Sequence, residues 1–362
     1  MMGEKGQKTG FSFGGFPAAS GSSDGAAEAK AIGGFAFAAV PAATPSDAAA
    51  ESKAARPRRA ELVAVQKERA KNETWDFLNE TPWRQVNWSD ETRTALLESV
   101  RSYKPACGSV PAARVLLVGP VGAGKSSFIS SVQSVLYGRV LNRAMVGPPA
   151  GSSTSFTKKV AELQSYRLHS SGERGGERGG ESLAVVLSDM AGLGEGGGLT
   201  LHDTLAVIKG HVPDGHTFSA LSPVGSDTAG YVKEPCLANR VHCVAYVVNA
   251  AEISTYSKSM TSTLQQLREH VSALGVHQVA LVTHVDKVYV NTTDMSQVYR
   301  STPLKNVMQR ASAVLGMPMS SMVPVKNYFE ELDPELHTDT LLLQALQLIL
   351  QYVDLHLREH AE

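Results

Sequence analysis

Residues 114–127 read RVLLVGPVGAGKSS, a short apolar run that passes into glycines and then into a lysine and two serines. Gly119 to Ser126 fit the spacing GxxxxGK[ST], with a predicted strand before them and a predicted helix after them, which is the context the motif requires. Glycines let the backbone approach a polyphosphate closely, so that successive N–H groups and the helix N-terminus face its negative charge. Gly119, Val121, Gly122, Ala123, Gly124, Lys125, Ser126 and Ser127 form the expected phosphate-binding set. Lys125 is expected to reach the β- and γ-phosphates, and the Ser126 hydroxyl to sit on Mg²⁺.

Outward from this loop, short apolar runs alternate with helical stretches. VLLVG, SFTKKVAELQSYRLHS, SLAVVLSD, VHCVAYVVNA, HQVALVTHVD and SMVPVKN read as strands. Helices are expected at Lys125 to Tyr137, Thr200 to Lys209, Ile253 to Leu274, Leu304 to Leu315 and His337 to Leu357. The alternation predicts an α/β fold of the P-loop NTPase G-domain kind, with a mostly parallel central sheet flanked by helices.

Further residues with nucleotide chemistry fall at the ends of these strands. Asp189 follows the apolar run LAVVL, where a carboxylate can hold a magnesium-bound water, and Gly192 completes DxxG, the pattern whose glycine N–H meets a γ-phosphate in switch proteins. Between the two motifs, SSTSFTKKV offers Thr154 or Thr157 to complete the magnesium shell; Thr154 is preferred because Thr157 begins the second predicted strand. Lys125 and Thr154 are the expected catalytic residues. Thr283, His284 and Asp286 of THVD end another strand. An aspartate there accepts hydrogen bonds from the N1–H and exocyclic amine of guanine, a donor pair that adenine lacks, so adenine leaves the carboxylate unpaired. The usual pattern is [NT]KxD, and His284 stands in place of its lysine. Asn327, in VPVKNYF, is placed to line the base pocket.

Composition bounds the rest. Residues 1–60 are dominated by Gly, Ala, Ser and Pro, with the related phrases GGFPAAS at Gly14 and GGFAFAAVPAAT at Gly33, and are expected to form a disordered tail. Residues 61–105 read as a helical lead-in that packs on the main domain, capped at Ser89 or Asp90 and carrying Trp75, Trp83 and Trp88; residues 106–362 read as the nucleotide-binding domain. The segment Ser171 to Ser182 holds two RGG triplets, each offset by glutamate, and reads as a hairpin tip. With 34 basic against 35 acidic residues, no general attraction to nucleic acid or anionic lipid is expected. Three cysteines without CxxC spacing argue against a disulfide framework or a structural zinc site, and a cytoplasmic location is expected. TLLLQALQLILQYVDLHL, Thr340 to Leu357, is nearly long enough for a membrane span, but Gln344, Gln347, Gln351 and Asp354 draw a polar stripe along it, so a buried helix is expected instead.

PWRQVNW and ESVRSYKP, then RVLLVGPVGAGKSSFISSV, TSFTKK, GLTLHD, IKGHVPD, RVHCVAYVVNA and GVHQVALVTHVD, occur in this order. Through them the chain from about Thr81 onward closely resembles the interferon-induced protein 44 family, including its 44-like branch. The resemblance implies a domain that binds GTP or GDP with Mg²⁺, a cytoplasmic setting, and a part in innate antiviral defence. Mammalian members of that family carry a longer domain of the TLDc type ahead of this part, where this chain has its Gly/Ala-rich segment and helical lead-in.

Hydrolysis needs a residue that orients water and a cation that neutralises transition-state charge. Leu193, not glutamine, follows Gly192, and Arg139 and Arg143 are the local arginines available to serve in cis. The expectation is a slow GTP hydrolase completed by a protein partner or by self-association. The alternatives are a nucleotide-gated interaction protein without turnover and an ATP-using P-loop enzyme.

Overall fold

The computed structural model describes residues 78–141, 162–171, 180–190, 192–193, 199–219, 222–288 and 294–360, all within the compact unit Pro57–Glu362. Expectations for residues 1–60, Trp75, Arg143, Thr154, Thr157 and the RGG segment at 172–179 lie outside the described residues.

Six strands form one sheet: β1 (Ala113–Val118), β2 (Gln164–Ser170), β3 (Glu181–Asp189), β4 (Cys243–Asn249), β5 (His277–Thr283) and β6 (Met322–Pro324). Their order is β2-β3-β1-β4-β5-β6. β2 runs antiparallel to β3, and every other pairing is parallel. This is the expected mostly parallel architecture. Interior strands covered on both faces need apolar side chains in both directions, which is why β1 and β4 read as continuous hydrophobic runs rather than alternating ones.

The helices are α1 (Asp90–Arg101), α2 (Lys125–Tyr137), α3 (Leu201–Ile208), α4 (Lys258–Ala273), α5 (Thr302–Leu315) and α6 (Leu336–Glu359). Alternate residues of β1 divide the core. Leu116 and Val118 join α3, α4 and α5 on one face, whereas Val115 and Leu117 join α1, α2 and α6 on the other. Each such aliphatic side chain contributes about 1.5–3 kcal/mol on burial.

Helix starts follow their caps. The Ser257 hydroxyl accepts the Met260 N–H at 3.0 Å, so α4 begins at Lys258 and the expected start at Ile253 becomes a separate 3₁₀ turn. Ser301 caps Leu304 N–H at 3.2 Å and Pro303 opens the helix, which moves the α5 start back to Thr302. Ser89 is the cap of α1, accepting Thr92 N–H at 3.2 Å. α6 is long and apolar enough to cross a membrane by length and composition, yet Leu341, Leu342, Leu343, Leu346, Ile349 and Val353 are all buried in the core.

The lead-in lies across the α5–α6 side of the unit. Trp83 N–H donates to Tyr299 O at 2.9 Å and its ring meets Tyr299 edge-on at 4.8 Å. Arg84 donates to the carbonyls of Met322 and Met319 at 2.9 and 2.8 Å. Trp88 packs against the His337 ring at 5.6 Å.

At the sheet end opposite Gly119, three imidazoles gather around His356, which is 3% exposed. Its ring lies 6.1 Å from His242, 6.2 Å from His277 and 4.2 Å from His360. Glu359 pairs with His277 at 2.9 Å. Burial, reinforced by the neighbouring His360, lowers the pKa of His356 from 6.5 to about 4. An unfolded chain therefore takes up this proton near pH 6.5 while the folded one resists until about pH 4, so stability is full above that window and falls as pH drops through it. The expected loss is about 1–3 kcal/mol. Urea denaturation between pH 7 and 4 checks it: His356→Gln should flatten the slope, and an unchanged slope would assign the acid sensitivity elsewhere.

Candidate nucleotide site

β1 delivers the chain to Gly119 hard against β4. A Cβ at Gly119 would stand 2.0 Å from the Val247 carbonyl oxygen, and φ is +154°. Only glycine fits this approach. Gly124, at φ +89°, caps α2 without any side-chain hydrogen bond, which leaves the first-turn N–H groups of the helix open toward the loop.

Lys125 curls back over the loop, donating from Nζ to the Gly119 and Pro120 carbonyls at 3.1 and 3.0 Å. It is 7% exposed. Burial lowers its pKa and the charge of Asp189 partly offsets this. The Ser126 hydroxyl, in the first turn of α2, donates to Asp189 at the end of β3, a strand end set beside the loop by the parallel register that places Leu117 of β1 opposite Asp189. Ser127 is half-buried in the first turn of α2, and Val121 at the loop apex is 75% exposed.

The DxxG segment lies directly on the loop. Leu193 N–H donates to Gly119 O at 3.0 Å, and a Cβ on Gly192 would come within 2.4 Å of Val121 N. Leu193 is buried, so its side chain fills the core below the loop.

β5 brings the THVD residues to the other end of the same loop. The Thr283 hydroxyl donates to the Ala123 carbonyl at 2.7 Å and stands 3.0 Å from His284 Nδ1. His284 has φ +56°, the one positive φ outside glycine among the described residues. Burial lowers its pKa, with the nearby Lys287 charge acting in the same direction. Asp286 follows in the turn Val285–Lys287, half-exposed, and among the described residues nothing hydrogen-bonds its carboxylate. After β6, Asn327 Nδ2 donates to Gly124 O at 3.2 Å, while its Oδ1 is buried without a partner.

The residues singled out in the phosphate loop, DxxG, THVD and VPVKN segments thus surround one loop at the C-terminal ends of the parallel strands, where α/β sheets hold ligands. Arg139 does not join them. It follows Gly138 at the far end of α2, about 20 Å from the loop by helix rise. Among the described residues no His, Cys, Asp or Glu cluster forms a separate metal centre. One set of contacts gave no sequence signal: Tyr328 bonded to Asp339 and Asp339 to Arg93, partners up to 246 residues apart.

Curated relatives match the chain over most of this unit. Interferon-induced protein 44 of Mus musculus is 33% identical over 257 residues, which cover 70% of this chain and 58% of that protein. The Homo sapiens interferon-induced protein 44-like is 34% identical over 267 residues, covering 73% and 56% respectively. The chain thus spans less than three-fifths of the length of these relatives. No family model matches it. Among solved structures, Toc33 from Arabidopsis thaliana in complex with GDP and Mg²⁺ superposes with a TM-score of 0.36 at 11% identity, covering 73% of this chain and 90% of that one.

Proposed function

The chain belongs to the interferon-induced protein 44 family, and from that premise we propose that it is a cytoplasmic guanine-nucleotide-binding protein of the innate antiviral response, with slow or partner-dependent GTP hydrolysis. The observation that carries the nucleotide reading is the 2.7 Å bond between Thr283 and the Ala123 carbonyl, seconded by the bond from Asn327 to Gly124. These bonds hold the segment read as base-recognising against the loop read as phosphate-binding, and that adjacency is what supports a nucleotide bridging the two.

In this reading the α2 N-terminus and the loop amides hold the β-phosphate, and Lys125 leaves its two carbonyl partners to meet the γ-phosphate. Asp286 reads the guanine edge, and His284 covers the base where the usual pattern has lysine. Ser126 and Asp189 present hard oxygen donors at one point, which suits magnesium. With Thr154, they are the residues that would hold the ion, whose charge would neutralise the phosphates. Gly192 contacts the loop closely enough to register a γ-phosphate, which makes its segment the proposed switch.

The buried Leu193 offers no group to orient water, which is why turnover is assigned to a complex with a protein partner or a second copy. Competition titration with fluorescent GTP checks the proposal. Unlabelled GTP should displace it at least about a hundredfold better than ATP, and Lys125→Ala should abolish binding. Equal displacement by ATP would make it an ATP-using protein. Phosphate release that stays at zero as protein concentration rises would leave a nucleotide-gated binding module.

A further inference from the structure

Bonded contacts lead from the helix ahead of the domain to the phosphate loop. Arg93, in the first turn of α1, places Nη1 3.0 Å from Asp339 Oδ2 in the first turn of α6. Asp339 is 1% exposed. Its other oxygen accepts the Tyr328 hydroxyl at 2.6 Å, and that hydroxyl also accepts the Glu335 N–H at 2.7 Å. The Tyr328 N–H donates to Ser131 Oγ on α2 at 2.9 Å, and the preceding residue is Asn327, bonded to Gly124.

A carboxylate this deep is held by its partners. Without the guanidinium it must neutralise or admit water, and either response shifts the hydroxyl bonded to it. Tyr328 is fixed at its side chain by Asp339 and at its backbone by α2, so movement at Asp339 passes to the 325–328 segment.

We propose that Arg93, Asp339 and Tyr328 are positioning residues for the base side of the nucleotide pocket, acting through Asn327, so that the Arg93–Asp339 contact and nucleotide binding favour one another. This rests on the nucleotide reading above. The coupling is reciprocal: nucleotide tightens that contact by as much as the contact tightens nucleotide. Arg101 supplies the comparison. It sits on the same helix but donates to Leu136 O at 3.0 Å, at the far end of α2, so it stabilises the fold through a contact that does not reach the base side.

The experiment follows release of a fluorescent guanosine diphosphate from the full chain, with thermal midpoints measured in parallel. Arg93→Gln and Tyr328→Phe should speed release about tenfold, Arg93→Lys should restore most of the retention, and Arg101→Gln should lower the midpoint without altering release. Hydrogen exchange gives the reverse direction: nucleotide should slow exchange across residues 90–101 in the wild type but not in Arg93→Gln. Unchanged release from Arg93→Gln, or equal acceleration by Arg101→Gln, overturns the proposal while the nucleotide reading stands. A wild type that holds no guanine nucleotide removes both.

Discussion

Asp286→Asn should lower GTP affinity at least about a hundredfold and raise affinity for xanthosine triphosphate. Hydrogen bonds to a charged group are worth about 1.5–3 kcal/mol each, and the carboxylate is assigned two of them, from guanine N1–H and the exocyclic amine. Each 1.4 kcal/mol is a factor of ten. An asparagine amide turns its NH₂ toward the exocyclic amine, donor against donor, whereas xanthine presents a carbonyl at that position. The native carboxylate has no hydrogen-bond partner among the described residues, so the substitution removes a ligand contact rather than an internal support. The folded protein should melt within a degree or two of wild type. Competition titration with the two triphosphates decides the matter, and a variant that still prefers GTP would mean that another residue reads the base.

Gly119→Ala should destabilise the protein more than any other single methyl group in the loop and eliminate nucleotide binding. The new carbon would lie 2.0 Å from the Val247 carbonyl oxygen, and the obstacle is backbone of a buried strand rather than the end of a flexible side chain. Overpacking costs about 1–3 kcal/mol, and the positive φ adds about 1–2 kcal/mol for a residue with a Cβ. In a domain of this size the sum lowers the melting temperature by roughly 5–15 °C. Gly122→Ala provides the contrast. It also has positive φ, +78°, but its Cβ would meet nothing within 4 Å, so only the backbone cost of about 1–2 kcal/mol applies. Melting curves of the two variants side by side check the assignment, and equal shifts would refute the clash.

Local chemistry made the fold legible. The strand VLLVG, the glycine-rich turn and α2 from Lys125 to Tyr137 follow from composition and spacing alone, since glycines at 124 and 138 bracket the helix at both ends. The starts of α4 and α5 differ from the expected Ile253 and Leu304 because the hydroxyls of Ser257 and Ser301 cap the first-turn N–H groups. In the site, residue types at strand ends identified Asp189, Thr283 and Asn327, because parallel strands deliver their C-terminal ends to one edge. The bonds among them were not legible. The contact of Thr283 with Ala123 spans 160 residues and that of Arg93 with Asp339 spans 246, and no local pattern encodes which distant partner a buried polar group will find.

α6 packs against α1, α2, β1, β4, β5 and β6, yet it is translated after all of them. A ribosome-bound chain thus carries every strand of the sheet while one face still lacks its principal cover, and that face is lined with valine, leucine and alanine. Until those 24 residues clear the exit tunnel, the nascent protein is a client for chaperones that shield sticky surfaces. Premature termination anywhere before residue 336 should yield aggregates rather than a smaller working molecule.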